Sequence, residues 1–99
     1  MAPRSAYEVA KAGGRHAGLL RTYQDKSTTE IQRALRSYER PVALHQQKVS
    51  HPEQFIQAWD QKSPRVQQAL LRHWQENRAR NQELVEVMHG MLQERHRQL

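Results

Sequence analysis

The chain has no cysteine. Disulfide staples, thiolate metal sites and cysteine nucleophiles are therefore excluded, and either a reducing or an oxidising compartment is compatible with the sequence. Aromatic residues are few, three Tyr, two Trp and one Phe, and only 36% of the 99 residues are hydrophobic at a mean hydropathy of −1.02. So little apolar material in so short a chain supports one modest core. The expectation is a single small domain, 1–99, in which 1–12 is frayed or derived from a linker. No apolar run approaches the length of a membrane-crossing helix, so no membrane partner is expected. The opening "MAPRSAYEVAKAGG" lacks the apolar segment of a signal peptide, and export would depend on a carrier. Glycine-rich phosphate loops, nucleophile elbows and paired carboxylates are missing as well. None of the six histidines lies four residues from another, the spacing of a helical metal site, so neither a metal nor a cofactor is expected.

What is present in excess is positive charge. Sixteen Lys plus Arg stand against ten Asp plus Glu, for a formal charge of +6 and a pI near 10.3. That balance attracts polyanions: nucleic acid, an acidic protein partner or an anionic surface.

The apolar residues are periodic, and the period is helical. Ser5 can cap a short helix over "SAYEVAKA" that Gly13 and Gly14 stop. "LLRTYQDK" reads as an apolar patch on a turn or a single helical turn. Ser27 with Glu30 forms a capping box for a helix running from about Thr28 to about Ser50. Ile31, Leu35, Tyr38, Val42 and Val49 form its stripe, and Pro41 is expected to kink or split it near Arg40. Ser63 followed by Pro64 starts a second long helix, to about Arg95, with Val66, Leu70, Trp74, Leu84, Met88 and Met91 on its seam. The connector between them carries Phe55, Ile56 and Trp59, too apolar to stay free. The resulting fold class is all-α: an antiparallel helical hairpin, with a short N-terminal helical segment and an aromatic connector packed on it.

His45 interrupts the first stripe, with Arg40 five residues before it and Lys48 three after. A neutral imidazole can take the proton of a ribose 2′-hydroxyl, while Arg and Lys hold the phosphate and stabilise its developing charge. Arg40 to His45 also fits the Arg-x4-6-His motif that is the hallmark of the HEPN helical ribonucleases. The alternative is a neutral seam residue that donates to a carbonyl or pairs with Asn77 or Asn81 across the hairpin, where His45 facing Asn81 would fix its register. His16, in "GGRHAG" beside Arg15, offers a second imidazole on a glycine-hinged loop that could meet His45 as acid and base. The catalytic candidates are thus His16 and His45, and the phosphate-binding candidates are Arg15, Arg36, Arg40 and Lys48. Arg72, Arg78, Arg80, Arg95 and Arg97 could line a nucleic-acid face.

The order of these pieces carries a resemblance. Gly13, Gly14, Arg15, His16, Ala17 and Gly18 open it; Lys26 and Ser27, then Arg36, Ser37, Glu39 and Arg40, then His45, Lys48 and Pro52 follow, and Leu70, Leu71 and Trp74 close it. From about residue 13 to about residue 92 the chain resembles the C-terminal toxin domains of bacterial polymorphic toxins. Those domains end Rhs-repeat, filamentous haemagglutinin and other type VI or contact-dependent secreted effectors. The resemblance implies a domain secreted as part of a larger carrier, acting in the cytoplasm of a target cell in interbacterial competition. It also implies a cognate, acidic immunity protein as partner. Joined to the residue chemistry, the expected function is a metal-independent ribonuclease acting on tRNA or another structured RNA. The alternative is a non-enzymatic basic helical module that binds nucleic acid or an acidic protein.

Overall fold

The computed structural model describes residues 4–98. Its element order is α1 (Ala6–Lys11), α2 (Ala17–Gln24), α3 (Thr28–Ser50), 3-10 turns at Pro52–Gln54 and Trp59–Gln61, and α4 (Pro64–Arg97). The described residues are all-α, and α3 and α4 form the expected hairpin. Contacts from Thr28 to Arg95 at one end and from Lys48 to Trp74 at the other make the two helices antiparallel. The hairpin therefore has a proximal end, covered by α1 and α2, and a distal end, closed by the connector. Its longest dimension is 55 Å, close to the roughly 51 Å that 34 helical residues span at about 1.5 Å each.

Serine caps set three of the starts. The Oγ atoms of Ser5, Ser27 and Ser63 accept from the backbone N–H groups of Glu8, Glu30 and Val66, at 3.2, 3.1 and 3.2 Å. Each satisfies a donor that the first helical turn leaves without a partner. α3 remains a single helix of 23 residues through Pro41, so the expected split does not occur. The missing proline N–H removes one rung, and the packing of α3 on α4 holds the helix across it.

The N-terminal segment departs from the expectation of a frayed end. Its residues Met1–Pro3 lie outside the described residues, but from Ser5 onward the chain is docked on α4. Ala10 is 2% exposed in the core, and the Tyr7 hydroxyl and Lys11 ammonium both reach Glu94. Gly90 makes this docking possible, because a Cβ there would collide with the Tyr7 ring. α2 likewise forms two full turns, not one. Arg95 ties off its C-terminus by donating to the carbonyls of Gln24 (3.1 Å) and Lys26 (2.6 Å) and to the Thr28 hydroxyl (3.3 Å). Arg95 is therefore committed to the fold and leaves the expected nucleic-acid face.

The core is gathered proximally: Ala10, Ile31, Ala34, Val87, Met88 and Met91 are all buried, with Tyr7, Leu20, Tyr23 and Tyr38 packed around them. Burial beside Tyr23 pushes the Tyr38 phenol above its usual pKa. Distally only Trp74 is fully buried, at 5% exposure, and Trp59 of the connector stacks on it with ring centroids 6.1 Å apart. Val66, expected on the seam, is exposed. It sits in the first turn of α4, where no helix faces it.

Candidate functional site

The residues singled out above fall into two separate centres. The proximal one forms where the glycine turn crosses α4. Gly13 takes the left-handed region at φ 90°, which glycine adopts without steric cost, and so reverses the chain after α1. His16 follows as the N-cap of α2, also left-handed, at φ 70° and ψ 12°. For a residue with a Cβ that conformation costs on the order of 1–2 kcal/mol, and such strain collects at functional positions. Its effect is to turn the imidazole onto α4. There His16 Nε2 lies 3.3 Å from Glu83 Oε1, and Arg15 Nε lies 3.2 Å from the same oxygen. The His16 side chain is 15% exposed and Arg15 is 65% exposed.

In the tautomer whose Nε2–H donates to Glu83, Nδ1 is left with its lone pair as a proton acceptor. A cavity of about 260 Å³ opens here, lined by Arg4, Arg15, His16, Glu83 and Glu86 with Ala6 and Val9. That lies just below the usual range of roughly 300–1,000 Å³ for small-molecule pockets, and it leaves room for a phosphate group beside the imidazole. Chemically the arrangement is an oriented imidazole, a guanidinium beside it and room for one anionic group.

The distal centre contains His45. Its Nδ1 is buried and has no hydrogen-bond partner. Burial, then the neighbouring Lys48, then His73 on α4 push its pKa below the usual value, which favours the neutral ring. Neither asparagine expected to face it does so. Asn77 bonds His73 Nε2 at 3.1 Å, and Asn81 donates to the Asn77 carbonyl at 2.9 Å, both within α4. The Lys48 ammonium lies 5.9 Å from the centre of the Phe55 ring and 6.0 Å from that of Trp74. Arg36 and Arg40 are exposed along α3 between the two centres.

The expected acid–base pair is not formed. His16 addresses α4 at Glu83 and His45 addresses it at His73, ten residues away, which is about 15 Å along a helix. One phosphate cannot bridge that span, and the clamp of Arg15, Arg36, Arg40 and Lys48 is spread along the hairpin with it. The reason is the strained turn, which swings His16 against the proximal half of α4, while the α3–α4 register carries His45 to the distal half. Glu83 was not legible in advance. It is one of several glutamates on a polar helix, and only the landing point of the turn selects it.

A groove of about 930 Å³ lies elsewhere, between α1, α3 and α4. Glu8, Glu39 and Glu86 on its walls form no ion pair among the described residues, and Lys11 is already matched to Glu94. Glu86 lines the His16 cavity as well, but there Arg4 and Arg15 line it too, and we place the candidate site at His16 for its oriented imidazole beside Arg15.

Fold and site together define an all-α hairpin with a strained histidine seated on a glutamate. The chain matches no known family model, no curated protein and no solved structure. None of the helices among the described residues is long and apolar enough to cross a membrane.

Proposed function

We propose that this chain is a ribonuclease effector domain of the polymorphic-toxin kind, acting without a metal on tRNA or another structured RNA. The observation that carries the reading is His16. It is held in a strained backbone conformation against Glu83, beside Arg15, on the wall of a cavity with room for a phosphate group. In the proposed reaction His16 Nδ1 takes the proton of a ribose 2′-hydroxyl as that oxygen attacks the adjacent phosphorus. Arg15 stabilises the charge that builds on the phosphoryl oxygens. The bond from phosphorus to the 5′-oxygen breaks, and His16 returns the proton to that leaving oxygen. The products are a 2′,3′-cyclic phosphate and a 5′-hydroxyl end, and the imidazole is restored. Glu83 keeps the ring in the productive tautomer and steadies the imidazolium, as an orienting carboxylate does in a catalytic triad. His45 has no part in this step.

Delivery by a secreted carrier into a target-cell cytoplasm, and neutralisation by an acidic immunity protein, complete the reading. They rest on the resemblance of residues 13–92. The purified domain is expected to cleave total RNA in EDTA and leave cyclic-phosphate ends. His16→Ala should lose about a hundredfold or more, the usual range for removing a positioned acid–base group. Glu83→Gln should lose less, because an amide can still orient the ring. RNA left intact by micromolar protein in EDTA would end the enzymatic reading.

A further inference from the structure

We infer that the distal end of the hairpin is a binding platform for single-stranded RNA, with a base stacked on Phe55 and the backbone held by Lys48 and the unpaired cations around it. The inference rests on the ribonucleic-acid reading above and adds where and in what form the strand is held. Three observations converge on it. Between positions 36 and 80 there are eight Lys or Arg against four Asp or Glu, so +4 of the chain's +6 lies in this half. Among the described residues none of those eight forms a salt bridge, whereas the proximal Lys11 and Arg15 are both paired with glutamates. Finally, among the described residues the exposed large apolar side chains, Leu44, Phe55 and Val66, all belong to this half.

Phe55 is the centre of the platform. It sits in the connector just after the Pro52–Gln54 turn, 38% exposed, with the Lys48 ammonium on its ring. The connector already packs Trp59 on Trp74, so Phe55 remains the ring with a face to offer. An aromatic face beside a cation is the recurring means of holding single strands: the base stacks on the ring while its phosphate meets the charge. Bases of a duplex are stacked on one another and cannot use such a face. An acidic protein would use the cations but not the ring.

The two tryptophans, Trp59 and Trp74, both lie at this end and are the only ones in the chain. Intrinsic tryptophan fluorescence therefore reports on the platform alone. Oligodeoxythymidylate is the probe, since it stacks and carries phosphates but lacks the 2′-hydroxyl that cleavage requires. Titration is expected to quench the fluorescence, with affinity falling steeply as salt rises. Phe55→Ala should weaken binding about tenfold while the helical signal stays intact, and Arg72→Glu should lower the salt slope. A duplex of equal length that quenches equally, or polyglutamate that matches the oligonucleotide, would overturn the single-strand assignment. So would a Phe55→Ala variant that binds as the parent does. The two readings separate cleanly. Quenching without RNA cleavage leaves the platform and ends the nuclease; cleavage with an unchanged KM in Phe55→Ala does the reverse.

Discussion

The two ends of the hairpin are built from the same two helices and solve opposite problems. Proximally, four helices meet, six residues form a sealed core, and the cations Lys11, Arg15 and Arg95 are bound to carboxylates or carbonyls. Distally there are two helices and a connector, Trp74 is the one fully buried side chain, and the Lys and Arg residues form no salt bridge among the described residues. The proximal end holds Lys11, Arg15 and Arg95 in place, and Glu83 orients both Arg15 and His16. The distal end keeps its cations out of ion pairs, with Lys48 resting beside the Phe55 and Trp74 rings, over a thin core. A small domain has little apolar surface to distribute, and concentrating it at one end frees the other for a charged partner.

The largest effect expected from this division is on stability. Ile31 is fully buried at the centre of the proximal core, while Val49 holds a half-buried position near the distal end. Ile31→Ala should lose about 3 kcal/mol, from the removed methyl groups and the cavity they leave. Val49→Ala should lose about 1 kcal/mol or less, because solvent and the connector can close around it. Urea unfolding midpoints measure both. Equal losses would mean that the core is distributed along the whole hairpin and that the comparison above is mistaken.

A smaller effect tests how α1 is fixed to the proximal end. A Cβ on Gly90 would strike the Tyr7 ring. Gly90→Ala should therefore destabilise by about 2 kcal/mol despite the better helix propensity of alanine. Tyr7→Ala in the same molecule should recover much of that loss, since the two positions share one contact. Additive losses would place the Gly90 effect elsewhere than at Tyr7.

The hairpin itself was legible in the sequence because each of its signals is local. Ser27 with Glu30 and Ser63 with Pro64 set helix starts that the structure reproduces to the residue. The 3.6-residue stripe chose the buried faces around Ile31 and Met88. The docking of α1 was not legible, since it depends on a gap at Gly90 more than eighty residues away in sequence. The same holds for the candidate site. His16 and Arg15 stood out as residues, but their partner Glu83 is selected by a left-handed backbone at His16, which nothing in the local sequence requires. Long-range pairing through a strained turn leaves no periodic trace.

The smallest expected effect concerns His45 and asks whether the distal seam tolerates a polar atom by design or merely bears it. Its Nδ1 is buried without a partner, and an unpaired buried polar group commonly costs about 1–3 kcal/mol. Leucine is of similar size and has no atom to satisfy, so His45→Leu should stabilise the fold by about 1 kcal/mol near neutral pH. The pH dependence gives the sharper test. In the unfolded chain the imidazole titrates near 6.5; in the fold, burial first and then Lys48 and His73 hold its pKa lower. Below 6.5 the unfolded state takes up a proton that the folded state resists, so stability present above that pH is lost as pH falls. The leucine variant has no such proton to gain. Its advantage over the parent should therefore widen between about pH 7.5 and about pH 5.5 in paired urea titrations. An advantage that stays constant or shrinks on acidification would mean that the folded protein accepts the proton at His45, and that the distal seam opens to water there.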